Sequence, residues 1–177
     1  MKNKTVLLML TVAIFCLAFG ISSVSARKES KEAKMVREAK ITMAEARAKA
    51  LSRVAGTVEM AKLEREKGKL LFEFEIHNAK NAEVEIHVDA VTGEIFDAKE
   101  EGGGSAKEKA MFDQIKVSMD VAEQTALSKV AGAVVEAKIE RERGKILYEF
   151  EIITADGNET NVHVDAINGE VESVGKK

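Results

Sequence analysis

The chain has 177 residues, of which 27 are Lys or Arg and 30 are Asp or Glu, for a formal charge of −3. That mild acidity, with no basic stripe carrying interleaved aromatics, argues against a nucleic-acid partner. The one cysteine, Cys16, lies in an apolar N-terminal run, so the rest of the chain has neither a disulfide nor a thiol nucleophile.

Residues 1–26 read as a secretory signal peptide. Lys2 and Lys4 form a positive n-region, Val6 to Phe19 is apolar apart from Thr11, and Val24-Ser25-Ala26 is a small-residue cleavage site. The run is short for a membrane span, which needs about 20 residues. Cys16 follows Ile14-Phe15 rather than small residues, which argues against lipidation. Cleavage removes Lys2 and Lys4 and no acid, leaving a mature chain from Arg27 with charge −5. The expected location is the periplasm or the exterior, with no stable membrane span after cleavage. Residues 27–40 hold six basic and three acidic side chains and are expected to be a solvated lead segment.

From Ile41 onward the chain says the same thing twice. Residues 41–96 and 117–172 align without a gap at an offset of 76, and 29 of the 56 positions are identical. Two copies are too few for a solenoid, which needs about three stacked repeats. Two tandem modules, residues 41–98 and 117–175, are the expectation. A module this small is near the lower limit for folding alone, so packing between the copies, or homo-oligomerisation, would help.

Each copy opens with a helix. Thr42 and Glu45 make a capping box, and Ala46, Ala50, Leu51 and Val54 recur at helical spacing. The second copy keeps Ala122, Ala126, Leu127 and Val130, with Ser118 or Asp120 as its cap. Gly56 and Gly132 follow, where a left-handed glycine would end each helix. Strands come next. Leu70, Phe72, Phe74 and Ile76 alternate with Leu71, Glu73 and Glu75, and Ile146, Tyr148, Phe150 and Ile152 repeat the pattern. Gly68-Lys69, Gly144-Lys145 and Asp156-Gly157-Asn158 mark turns between strands. Val84, Ile86 and Val88 then alternate with Glu85, His87 and Asp89. Thr92-Gly93 and Asn168-Gly169 precede short closing strands at Glu94-Ile95-Phe96 and Glu170-Val171. Between the copies, residues 99–116 carry Gly102-Gly103-Gly104-Ser105 and read as a flexible linker with one short helical turn. The fold class is α+β: two tandem modules, each an N-terminal helix packed on a small antiparallel sheet.

These segments resemble the PepSY domain family. The resemblance rests on Phe72-Glu73-Phe74-Glu75 followed by Ile86-His87-Val88-Asp89-Ala90-Val91-Thr92-Gly93-Glu94-Ile95. The second copy has Tyr148-Glu149-Phe150-Glu151 and Val162-His163-Val164-Asp165-Ala166-Ile167-Asn168-Gly169-Glu170-Val171. Copy one departs from the pattern with Phe72 in place of tyrosine. The resemblance implies a non-catalytic module that holds a peptidase in check or guides its activity.

The residues themselves support no catalytic site. No HExxH, CxxC, GxSxG or phosphate-binding glycine loop is present. His87 and His163 each stand two residues before an aspartate on the polar face of a strand, too few ligands for zinc, and an exposed structural pair is expected there. Asp89 and Asp165 read as turn-setting residues. No metal and no cofactor is expected. The candidate partner-facing residues are Glu73, Glu75, His87, Glu149, Glu151 and His163. The expected function is a non-catalytic exported protein-binding module that regulates a secreted or envelope peptidase. The alternative is an envelope ligand-binding or structural module, with weak metal binding, and no peptidase partner.

Overall fold

A computed structural model describes residues 29–176. The expected signal peptide and its cleavage site therefore lie outside the described residues. The element order is α1 (Lys31–Glu38), α2 (Met43–Arg53), β1 (Gly56–Glu66), β2 (Lys69–Asn78), β3 (Ala82–Asp89), β4 (Ile95–Gly103), then α3 (Ala106–Phe112), α4 (Met119–Lys129), β5 (Ala133–Glu142), β6 (Lys145–Ile153), β7 (Glu159–Asp165) and β8 (Val171–Lys176). Among the described residues, no helix is long and apolar enough to cross a membrane.

Local chemistry accounts for most boundaries. The Thr42/Glu45 capping box starts α2, and Ser118 caps α4 through the Val121 amide. Lys67 and Gly68, with φ of 47° and 87°, form the two-residue turn that lets Glu66 pair with Lys69. Arg143 and Gly144 repeat it. The apolar positions of β2, β3, β6 and β7 face α2 and α4, whose Met43, Ala46, Ala50, Met119, Ala122 and Ala126 are buried against them. Both helices cover one face of the sheet, which is the α+β arrangement expected.

The two copies do not form two sheets. One antiparallel sheet of eight strands runs β4-β3-β2-β1-β5-β6-β7-β8. Its middle is the β1–β5 pair, with Met60, Ala61 and Lys62 opposite Lys138, Ala137 and Glu136. Ala61 and Ala137 are equivalent positions at the offset of 76. The repeats are thus related by a pseudo-two-fold axis through this pair. Among the described residues this order makes β4 and β8 the outermost strands, with β1 and β5 joined over three positions at the centre.

The same axis brings α2 beside α4. Arg47 and Glu123, again equivalent positions, meet there with Nη1 2.7 Å from Oε2, and their side chains are 1% and 7% exposed. Arg47 Nε also donates to Asp120 Oδ1 at 2.8 Å.

Four expectations need correction. Gly56 opens β1 and Gly132 immediately precedes β5, and neither takes the left-handed conformation that would end a helix. A first side-chain carbon at either would lie 2.2 Å from the His77 carbonyl oxygen or 2.4 Å from that of Ile153, so close backbone approach requires glycine. The lead segment is not wholly solvated: α1 buries Ala33 and Met35 and packs on β1, β5 and β6, with Glu38 paired to Arg65. The first closing strand is longer than read, because β4 runs on through Gly103 opposite Ala82. The segment read as a flexible linker is therefore the end of β4 followed by α3. Phe112 of α3 stacks on His77 at 4.7 Å between ring centroids, and Gly104 lies against the same imidazole.

Candidate functional site

Helices α2 and α4 cover one face of the sheet; the other, open face is largely free of helix, apart from the end where Phe112 of α3 stacks on His77. Strand alternation sends Glu73, Glu75 and His77 from β2, Glu85 and His87 from β3, and Asp97 and Lys99 from β4 to that open face, since Glu73 pairs with His87, and Glu85 with Lys99. The second copy contributes Lys138 and Glu140 from β5, Glu149 and Glu151 from β6, and Asn161 and His163 from β7. All six expected partner-facing residues thus lie on one continuous surface. Their exposure is not uniform. Glu73, Glu75, Glu149 and His163 are half-buried, whereas His87 and Glu151 are each 7% exposed. The expectation of an exposed histidine fails for His87 because its ring is covered by Phe96, 5.7 Å away between centroids.

Burial, reinforced by neighbouring carboxylates, shifts the acids of the first copy. Desolvation, reinforced by Glu83, Glu59, Glu73 and Glu85, pushes the Glu75 carboxyl up to about 7. Desolvation raises Glu73 as well, with Glu64 and Glu85 adding to it and His87 opposing. The second copy is better compensated. Lys138 Nζ lies 3.0 Å from Glu149 Oε2 and 3.8 Å from Glu140 Oε2. The hydrogen bond to Glu149 raises the lysine above its ordinary value, against the effect of burial. Asn161 Nδ2 donates to Glu149 Oε1 at 2.6 Å.

Two clusters of possible metal ligands result. Glu73, Glu85 and His87 place one ligand atom each within 4.8 Å of one another, and so do Glu140, Glu149 and His163. Asp89 and Asp165, the partners suggested by the His-x-Asp spacing, are not in either. Asp89 Oδ1 accepts from the Val91 and Thr92 amides, both at 2.8 Å, and Asp165 Oδ1 accepts from Ile167 and Asn168. Sequence reading missed Glu85 and Glu140. Glu85 could have been found as the residue two before His87, on the same face of its strand.

The sheet edges are a separate feature. The acidic rows of β2 and β6 lie two strands in from β4 and β8, so an extended partner at an edge would not lie directly on them. Phe96 on β4 and Val174 on β8 are the exposed apolar side chains of those edges, at 42% and 52%.

The family comparison agrees with the two-copy organisation. The model of the PepSY family, described as the peptidase propeptide and YPEB domain, matches residues 40–99 and again residues 116–174. YkoJ of Bacillus subtilis (strain 168), an uncharacterised protein, is 32% identical over 160 residues, covering 88% of each chain. Among solved structures, a lipoprotein candidate from Clostridium difficile 630 shares 22% identity at a TM-score of 0.47, covering 81% of this chain and 97% of its own. The Bacillus megaterium YpeB C-terminal domain shares 18% at 0.30, covering 85% and 69%. With both family matches falling on the two halves of the sheet, the chain belongs to the PepSY family and carries two copies of its domain.

Proposed function

We propose that this protein is a non-catalytic, exported binding module that restrains or guides a secreted or envelope peptidase. The observation that carries the reading is the double match to a domain described from peptidase propeptides. The signal-like N-terminus supports export. The proposed mode of binding is strand addition. β4 has nine residues and an outer edge whose amides and carbonyls can pair with an extended segment of the peptidase. β8 offers a second, six-residue edge. The two edges are separated by seven strand steps, roughly 34 Å at about 4.8 Å each. A partner engaging both would have to span that distance. Acidic side chains on the open face would repel a partner of like charge lying across it. Charged residues along β4, Asp97, Lys99, Glu100 and Glu101, are also the kind that guard an edge against pairing, so the edge itself must be tested.

The test is secreted proteolysis measured with and without the protein, together with capture of the peptidase on it. Wild type is expected to change the proteolytic rate. A Phe96→Asp/Val174→Asp variant that keeps the wild-type circular dichroism spectrum is expected to lose that effect. Unchanged proteolysis with wild type, and no captured peptidase, would exclude the regulator reading and leave an envelope module without a peptidase partner.

A further inference from the structure

The open face of the first copy holds an arrangement that peptidase binding does not explain. His87 is buried, and its Nε2 makes no hydrogen bond. Yet Glu85 Oε1 lies 3.1 Å from it and Glu73 Oε2 3.4 Å. The contacts are close but misaligned for an N–H donor. A proton on Nε2 would point squarely at neither oxygen. Ligands of tetrahedral zinc, each about 2.0–2.2 Å from the ion, lie roughly 3.3–3.6 Å from one another. Both distances are close to that spacing, and all three ligand atoms lie within 4.8 Å of one another. The scaffold is rigid: Glu73 and His87 are a direct cross-strand pair, Glu85 stands two residues from His87 on the same strand, and Phe96 packs on the imidazole.

The second copy supplies an internal control. Its cluster of Glu140, Glu149 and His163 contains a cation already, Lys138, and His163 Nδ1 is hydrogen-bonded to Ser173 Oγ at 2.9 Å. In the first copy the equivalent lysine, Lys62, turns across the β1–β5 junction to Glu136 at 3.6 Å. Lys99, opposite Glu85, gives its Nζ to Glu101 at 2.5 Å. Glu85 itself replaces the neutral Asn161 of the second copy. The first copy has thus gained an acid beside its histidine, and its lysine points elsewhere.

We propose that Glu73, Glu85 and His87 form a zinc-class divalent metal site on the open face of the first copy, and that the corresponding cluster of the second copy is satisfied by Lys138 instead. One imidazole and two carboxylates form a mixed N/O set that suits zinc, and three protein ligands leave one coordination position for water or an acidic group of a partner. The proposal is independent of peptidase binding.

The experiment is isothermal titration calorimetry of the whole protein, stripped with chelator, against zinc chloride, with cobalt(II) absorption as a spectroscopic readout and thermal melts with and without zinc. The expected result is one zinc per chain, a tetrahedral cobalt spectrum and a raised melting temperature. Glu85→Asn, which installs the residue of the second copy, is expected to weaken binding at least tenfold while remaining folded. His87→Gln should abolish it, and His163→Gln should leave it unchanged. Absence of zinc binding, two zinc ions per chain, or one ion indifferent to both Glu85→Asn and His87→Gln would each overturn the proposal.

Discussion

Replacing Arg47 with alanine is expected to destabilise the protein by about 3–5 kcal/mol, because it leaves the Glu123 carboxylate in the interface between α2 and α4 without its partner. Glu123 is 5% exposed, so water cannot compensate it. Asp120 is more than half exposed and should contribute little of the loss. The pair itself need not be strongly stabilising, since a matched apolar replacement of both residues avoids two desolvation penalties. Arg47→Met with Glu123→Leu is therefore expected to recover most of the stability lost by Arg47→Ala. Urea unfolding of the three proteins checks this. If Arg47→Ala stayed within about 0.5 kcal/mol of wild type, the buried pairing of α2 with α4 would be wrong. The pairing also has a polarity. Two first copies meeting by the same axis would set Arg47 against Arg47, and two second copies Glu123 against Glu123, so the charges favour the association of unlike copies seen within one chain.

The second large effect is expected at Phe74 and Phe150. Each is fully buried at the centre of its half of the core, between the sheet and the covering helix. Truncation to alanine removes the ring and leaves a cavity, at about 3–5 kcal/mol each. Because β1 and β5 join the halves into one sheet, both variants should unfold in a single transition at lower denaturant than wild type, without a stable half remaining. Two separated transitions in Phe150→Ala would show that the halves are energetically independent. Trimming Gly102-Gly103-Gly104 would not be innocuous either. Gly102 and Gly103 pair with Glu83 and Ala82, and the Gly104 carbonyl accepts from Asn81 Nδ2.

Much of each module could be read from its residues. Hydrophobic alternation in β2, β3, β6 and β7 assigned Phe74 and Phe150 to the core, and the turn glycines fixed the hairpins. The sheet's middle could not be read that way. A period of two identifies which face of β1 and β5 is apolar, but says nothing about which strand lies beside them. The Arg47–Glu123 pair was hidden for a related reason. The two positions differ between the copies, so a comparison that prizes identity passes over them, although their difference is what the axis uses. β4 was truncated in the reading because Asp97, Lys99, Glu100 and Glu101 carry no apolar alternation, as befits an edge strand with little to bury. At the candidate site, His87 stood out by repetition. Its neighbour Glu85 did not, because the second copy has Asn161 there and repetition was the signal followed.

The claim on which the rest depends is that two PepSY copies share one sheet through their first strands and place β4 and β8 at its outside. Hydrogen–deuterium exchange of the free protein, resolved by peptide, tests it most directly. The account predicts that Met60–Lys62 and Glu136–Lys138 are among the slowest-exchanging segments, and that Ile95–Gly103 and Val171–Lys176 exchange faster by orders of magnitude. Exchange at the β1–β5 junction as fast as at β4 and β8 would contradict it.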